Sequence, residues 1–151
     1  MPLTRLSFDN MGRDLALGVL VDLGDKRATL PLVEMLKSSQ EYQRARAARD
    51  LGSLSDSRAV KPLVEALGDA YPAVRRAAAE SLGRLKNTDA IGPLVARLSD
   101  TQPDVIFAVA IALTELNYPK ARDVLLDVLS RMSMNLHAEK RAEIMEAPSP
   151  R

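Results

Sequence analysis

The stretch DAYPAVRRAAAESLGRL, residues 69–85, carries the pattern that decides the fold. Its apolar residues Ala78, Leu82 and Leu85 lie four and three positions apart, which is the spacing of one face of an α-helix. Pro72 suits the first turn of such a helix, where an N–H group has no intrahelical acceptor to lose. We therefore predict a helix that starts near residue 72 and turns one apolar face towards a core.

A second helix follows, and the helix pair recurs along the chain. Its motif begins at Pro31, Pro62 and Pro93 and, without the proline, at Val124, which is a constant step of 31 residues. Other columns obey the same step; they are Leu20, Leu51, Leu82 and Leu113, then Ala28, Ala59, Ala90 and Ala121, and then Arg13, Arg44, Arg75 and Ile106. A pair of amphipathic helices cannot bury its apolar faces alone, so we expect neighbouring repeats to stack.

The sequence thus predicts an all-α fold, an α-solenoid of four helix-pair repeats in one domain over residues 1–151. The repeats are expected at about residues 9–40, 41–71, 72–102 and 103–131, followed by a C-terminal capping helix over 132–147 and a disordered tail over 148–151.

Two sets of polar residues also recur at the repeat step. The candidate N-caps of the second helices are Asp25, Asp56 and Asn87. The candidate members of an ion-pair ladder are Arg44 and Arg75, which open their repeats, and Asp69 and Asp100, which close theirs. We expect both sets to fix geometry rather than to carry chemistry.

The composition excludes several classes of function. Twenty-one Lys and Arg residues against twenty Asp and Glu residues give a net charge of +1, which does not favour a nucleic-acid binder or a binder of anionic membranes. There is no cysteine, and no apolar run approaches the roughly 20 residues of a membrane span. We expect a cytoplasmic protein without a membrane span.

Nothing in the sequence resembles an active site. His137 is the only histidine, so a metal centre is not predicted. No glycine-rich phosphate loop and no nucleophile motif is present. The prediction is a protein with no catalytic residues, no metal and no cofactor.

Residues 69–85 resemble the first helix of HEAT-like repeats of the phycobilisome-lyase type, and AIGPLV at 90–95 resembles the second helix. The resemblance extends over about residues 9–130. It implies a HEAT-like solenoid, and a family that includes subunits that attach or detach bilin chromophores on phycobiliproteins as well as adaptors without such chemistry.

The second helices of a solenoid usually line its concave side, so their exposed charges are the first candidates for a binding surface. This concave-face site is predicted to comprise Arg27, Arg58, Lys61, Glu65 and Arg97. The face mixes both signs of charge, with a basic bias at its centre.

The fourth repeat departs from the pattern on its outer face. Ile106 stands where three repeats have Arg, and Phe107 and Ile111 replace residues that are mostly polar or small. Because Phe107 and Ile111 are i, i+4 neighbours, they form an apolar patch. Either the C-terminal segment covers the patch as a cap, or a protein partner binds there, with a homodimer as one version of this alternative.

The predicted function is a non-enzymatic protein-binding module or adaptor. The family resemblance implies a phycobiliprotein, or another part of the light-harvesting apparatus, as the partner. The alternative is one subunit of a heteromeric bilin lyase, paired with a second HEAT-like subunit; bilin would then be a ligand, and Tyr71 and Tyr118 are available for ring contacts. Binding of nucleic acid is not expected.

Overall fold

The computed structural model describes the backbone of residues 2–146 and the side chains of residues 11–143 and of Met145. Over this range the chain forms eight α-helices and no strand. The helices are α1 (Pro2–Asp22), α2 (Thr29–Met35), α3 (Glu41–Ser53), α4 (Val60–Ala66), α5 (Pro72–Leu85), α6 (Ile91–Ala96), α7 (Pro103–Glu115) and α8 (Ala121–Glu146). The predicted all-α solenoid of helix pairs is confirmed.

The first helices of successive repeats stack on one another. α3 packs along α5, and α5 packs along α7. The repeat columns supply the core: Leu51, Leu82 and Leu113 of the first helices and Leu32, Leu63 and Leu94 of the second helices are fully buried. The 31-residue step of the sequence is therefore the step of the buried core.

Small residues let the first helices approach closely. A Cβ atom on Gly52 of α3 would lie 2.8 Å from the Cα of Ser81 in α5, and one on Gly83 would lie 2.9 Å from the Cα of Ala112 in α7. The hydroxyl of Ser81 donates to the carbonyl oxygen of Ala48 and so bonds the two helices directly. The close stacking of the first helices thus depends on Gly52 and Gly83, which occupy the same position in successive repeats.

Each second helix is entered through a single 3₁₀ turn, at Lys26–Ala28, Ser57–Ala59 and Thr88–Ala90 in the first three repeats. The predicted caps lie just before these turns: Asp25, Asp56 and Asn87 each accept a hydrogen bond from the backbone N–H two residues later. The prolines are each the third residue of α2, α4 and α6, where a missing N–H costs little. The capping prediction is confirmed.

Each first helix is followed by one residue in the left-handed conformation. These residues are Gly24 (φ 66°), Ser55 (φ 50°), Lys86 (φ 53°) and Asn117 (φ 54°), again 31 positions apart. Left-handed backbone at the end of a helix redirects the chain, so all four first helices end in the same way, although no 3₁₀ turn follows in the fourth repeat.

The ends of the chain differ from the prediction. α1 begins at Pro2 rather than near residue 9. The predicted capping helix over 132–147 is not a separate element, because α8 runs from Ala121 to Glu146 without a break. No glycine or proline lies between those residues, so nothing ends the helix at residue 131. Residues 147–151, including the predicted tail, lie outside the described residues.

Candidate partner-binding surface

The Arg–Asp ladder is present, and it joins the loops between repeats. The Nε of Arg44 donates to Asp69 at 2.8 Å, and the Nε of Arg75 donates to Asp100 at 2.8 Å. Burial alone would raise the pKa of Asp69 and of Asp100. The hydrogen bonds from the guanidinium groups and from the backbone N–H groups of Tyr71 and Gln102 together outweigh it and hold both pKa values below their ordinary level.

The ladder has two defined ends. Arg44 also donates to the carbonyl oxygen of Ser38, and Arg75 to that of Asp69, so each arginine bonds the loops on both sides of its own repeat. At one end Ser38 occupies the aspartate position, and at the other Ile106 occupies the arginine position. Through Arg44 and Arg75 the ladder therefore joins the loops at Ser38, Asp69 and Asp100, and it is structural.

Arg27 and Arg58 of the predicted concave-face site are both held by caps. The guanidinium of Arg58 lies 2.7 Å from the carboxylate of Asp56, and that of Arg27 lies 2.6 Å from the carboxylate of Asp25. Hydrogen bonds from these arginines lower the pKa of each aspartate. In addition, the buried Asp56 accepts from the Thr29 hydroxyl at 2.8 Å. Both arginines are thus part of the turn between helices.

Lys61, Glu65 and Arg97 lie differently. Lys61 and Glu65 are exposed, one turn apart on α4, and neither is in an ion pair among the described side chains. Arg97 is half-buried at the end of α6, and its guanidinium lies beside Gly68, which follows α4. These three residues carry charges on the second-helix row, formed by α2, α4, α6 and the first half of α8.

A groove runs beside these charges between α2 and α4. It has a volume of about 300 Å³ and is lined by Val33, Leu36, Lys37, Pro62, Glu65, Ala66 and Asp69. Its walls combine apolar and charged groups, which suits a protein surface better than a small apolar ligand. Of the predicted site residues, Glu65 lines the groove.

The apolar patch of the fourth repeat is divided between two environments. Ile106 faces α8 across a cleft of about 210 Å³ that Val128 and Met132 also line. Phe107 is half-buried, whereas Ile111 is 39% exposed. α8 therefore lies over Ile106 and leaves Ile111 exposed, and binding of a partner at Ile111 stays a prediction.

A larger apolar surface on α1 was missed by the sequence reasoning. Met11, Leu15, Val19 and Leu23 are each more than half exposed and form one stripe, called the α1 stripe below. The signal was available, because Leu15 and Val19 occupy columns that hold alanine or serine in the third and fourth repeats.

The remaining polar residues form no centre for a metal. Within the described part of the chain, no three His, Asp or Glu side chains converge as metal ligands would. His137 lies on exposed α8 with its Nδ1 2.8 Å from the carbonyl oxygen of Ser133, one helical turn away. Tyr71 packs against Arg44, with the guanidinium carbon 5.5 Å from the ring centre. None of the helices over residues 2–146 has the length and apolarity of a membrane span.

Comparison with known proteins agrees with this architecture. Residues 60–133 match the family of HEAT repeats, and residues 43–69 match the phycobilisome (PBS) lyase HEAT-like repeat. The helical solenoid therefore has the architecture of HEAT repeats, and residues 43–69 are similar to the HEAT-like repeat of phycobilisome lyases. No curated protein matches it.

Two solved structures are similar to the chain. The complex of CpcE and CpcF of phycocyanin lyase from Nostoc sp. PCC7120 is 27% identical, with a TM-score of 0.63, over 82% of this chain and 80% of that one. Human deoxyhypusine hydroxylase in complex with glycerol is 28% identical, with a TM-score of 0.62, over 68% of this chain. The chain spans 36% of the length of that hydroxylase.

Proposed function

We propose that this protein is a binding scaffold whose second-helix row holds a phycobiliprotein or another component of the light-harvesting apparatus. One observation carries the proposal: some charged side chains on this row form ion pairs with the capping aspartates, and others are exposed and form no ion pair among the described side chains. Arg27 and Arg58 are paired with their cap aspartates, whereas Lys61 and Glu65 face outward beside a groove. Exposed charges on a rigid row can be matched by a partner of complementary charge.

The likeness to a phycocyanin lyase complex supports this choice of partner. It extends over four fifths of both chains. The stacked first helices and the Arg–Asp ladder keep the second and third repeats at fixed spacing, so the open charges on α4 are presented without a cost of ordering the scaffold.

The test is binding to purified phycocyanin, with Lys61→Glu combined with Arg97→Glu as the variant. We expect a loss of affinity of about tenfold or more, because two charge contacts are reversed. Arg58→Glu is unsuitable, since it would place a second carboxylate beside Asp56 and break the cap. Arg84→Glu, an exposed change on the first helix α5, is the matched control and should bind like the original protein.

If the Lys61, Arg97 variant bound phycocyanin as tightly as the unaltered protein, the second-helix row would not be the binding surface. Failure of the unaltered protein to bind phycocyanin or allophycocyanin would reject the proposed partner. Circular dichroism should show the same helicity for all three proteins, because the altered side chains lie outside the buried core.

A second candidate is one subunit of a two-chain bilin lyase, favoured by the likeness to the CpcE–CpcF complex. Such a subunit would act by holding the chromophore near the acceptor thiol of the substrate, which requires positioning more than catalytic side chains. Lys61 or Arg97 could pair with the bilin propionates. A change in the visible spectrum of free bilin on addition of the protein would favour this candidate; an unchanged spectrum, together with binding of phycocyanin, would favour the scaffold.

A further inference from the structure

Each aspartate of the Arg–Asp ladder makes two kinds of contact. Asp69 accepts the backbone N–H of Tyr71 at 3.0 Å, and it accepts two hydrogen bonds from the guanidinium of Arg44 at 2.8 and 3.1 Å. Asp100 makes the same contacts at the same distances, with the N–H two residues later and with Arg75. The carboxylate thus closes its own loop and binds, in bidentate geometry, the arginine 25 positions earlier in the chain.

The first repeat has the same arrangement but no aspartate. Ser38 is the equivalent of Asp69, and Arg13 is the equivalent of Arg44, each by the 31-residue step. The hydroxyl of Ser38 still accepts the N–H of Gln40 at 3.2 Å, so this loop is closed as in the other repeats. Serine has a shorter side chain and no charge, and Arg13 is exposed and forms no ion pair with any described side chain. The first repeat therefore keeps the arginine of the ladder and lacks its anion.

A cavity of about 270 Å³ lies where the missing carboxylate would reach the arginine. It is lined by Arg13 and Ser38 and, on its apolar side, by Leu17, Pro31 and Met35. We propose that this cavity binds a carboxylate from outside the chain, an aspartate or glutamate side chain of a partner polypeptide, which pairs with Arg13 as the ladder aspartates pair with their arginines. Walls that combine apolar and charged groups suit a side chain carried by a polypeptide better than a free small acid.

Two carboxylates of the chain also line the cavity, and they limit its affinity for an anion. Glu34 lies 3.7 Å from the ammonium of Lys37, which offsets its charge. Its equivalent in the second repeat is Glu65, which precedes Asp69 by four positions, and the ladder pair forms there all the same. Asp14 is in no ion pair among the described side chains, so its charge opposes a bound carboxylate. We therefore expect a single carboxylate to bind weakly, with a dissociation constant in the millimolar range.

Ser38→Asp tests the geometry of the site, because it supplies the carboxylate from the chain itself. We expect this variant to unfold at a higher urea concentration than the unaltered protein, and we expect no such gain when Arg13→Met is also present. Ser39→Asp, at an exposed neighbour in the same loop, is the matched control, and its effect should not depend on Arg13. A gain from Ser38→Asp that is the same with and without Arg13 overturns the assignment of the cavity.

Binding is measured by NMR through the Nε–H resonance of Arg13, with the same resonance of Arg75 as an internal reference, because the chain supplies the carboxylate there. The probe is a blocked pentapeptide with one central aspartate between glycines. We expect it to shift the resonance of Arg13 alone. The same peptide with asparagine should bind about tenfold more weakly, because it loses the charge-assisted hydrogen bonds. Ser38→Asp should abolish the shift, Asp14→Asn should strengthen binding, and Arg84→Met, at an exposed arginine of α5, should leave binding unchanged.

Acetate distinguishes the source of the carboxylate. We expect it to bind more weakly than the aspartate peptide, because it cannot contact the apolar wall at Leu17 and Met35. Equal binding of acetate and peptide would assign the cavity to free small carboxylates and overturn the polypeptide source. No shift of Arg13 with either probe, an equal shift with the asparagine peptide, or a shift that persists in the Ser38→Asp variant overturns the site altogether. None of these probes is a phycobiliprotein, so this site and the proposed function can fail separately.

Discussion

The guanidinium of Arg75 makes four hydrogen bonds, two to Asp100 and two to the carbonyl oxygens of Asp69 and Ala70. The side chains of Arg75 and Asp100 are only 11% and 3% exposed. Arg131 and Asp127 form a pair at 2.6 Å with side chains 58% and 64% exposed. The exposed pair has one hydrogen bond and the buried pair is bidentate, and the difference in burial decides what each contributes to stability.

At this scale we predict that Arg75→Met destabilises the protein by about 3 kcal/mol, because it leaves Asp100 charged and buried without a partner. Arg131→Met, the exposed control, should cost about 0.5 kcal/mol or less. Urea unfolding monitored by circular dichroism measures both. Changing Asp100→Leu in addition should recover part of the loss; equal losses in the buried and exposed variants would contradict the argument.

Some interactions and conformations of single residues could be predicted from the sequence, and others could not. The columns of Arg44 and Asp69 were visible as a ladder, because they recur at a fixed step. The pairing of Arg58 with Asp56 was not, since it depends on side-chain conformation within one turn. Lys86 in the left-handed conformation gave no signal either, as lysine is not a typical residue there.

At the scale of helices, the distance between first helices is set by Gly52 and Gly83. Gly52→Ala would press a methyl group against the backbone of Ser81, which is part of α5 and cannot rotate away. We predict a destabilisation of about 1–3 kcal/mol, as for other overpacked cores.

The control for this change is Gly92→Ala in α6, where a Cβ atom would meet nothing within 4 Å. We expect it to stabilise the protein by about 0.5 kcal/mol, because alanine loses less backbone entropy in a helix than glycine. Chemical unfolding of the two variants compares them directly. If Gly52→Ala were as stable as Gly92→Ala, the close stacking of α3 on α5 would be disproved.

At this scale the sequence predicted the helix pairs, which recur in four repeats. It also predicted the N-caps of the second helices and the position of the prolines early in them, which recur in three. The length of α8 was mispredicted. The sequence repeat ends near residue 131, but the helix continues to Glu146. The α1 stripe was missed because Met11, Leu15 and Val19 do not belong to the repeating columns on which the prediction was based. In the structure these side chains are exposed on α1, because no helix of the described residues packs against them.

At the scale of the molecule, carboxylates with lowered pKa values occur in successive repeats, at Asp56, Asp69 and Asp100. Because these pKa values are lower in the folded protein than the ordinary value of 3.8, the unfolded chain binds more protons at acidic pH. Their contribution to stability is full above the ordinary pKa and is lost as the pH falls through the folded values.

We therefore predict that the free energy of unfolding falls steeply as the pH decreases between about pH 5 and pH 2. Asp56→Asn should lower stability at neutral pH and make this acid decline shallower, because one of the linked groups is gone. Urea unfolding across the pH range measures both effects. An equally steep decline in the variant would show that Asp56 does not contribute to the linkage.

The confinement of the Arg–Asp ladder to two repeats has a consequence for how the molecule comes apart. Ser38 and Ile106 end the ladder, so its two ion pairs lie in the second and third repeats. The first repeat is joined to the second by hydrogen bonds at Ser38 and Asp56 and by packing. Repeat proteins open unit by unit. Backbone amides of α3 and α5 should therefore exchange their hydrogens last, and the outer helix pairs can detach and reseat while the middle of the protein stays folded.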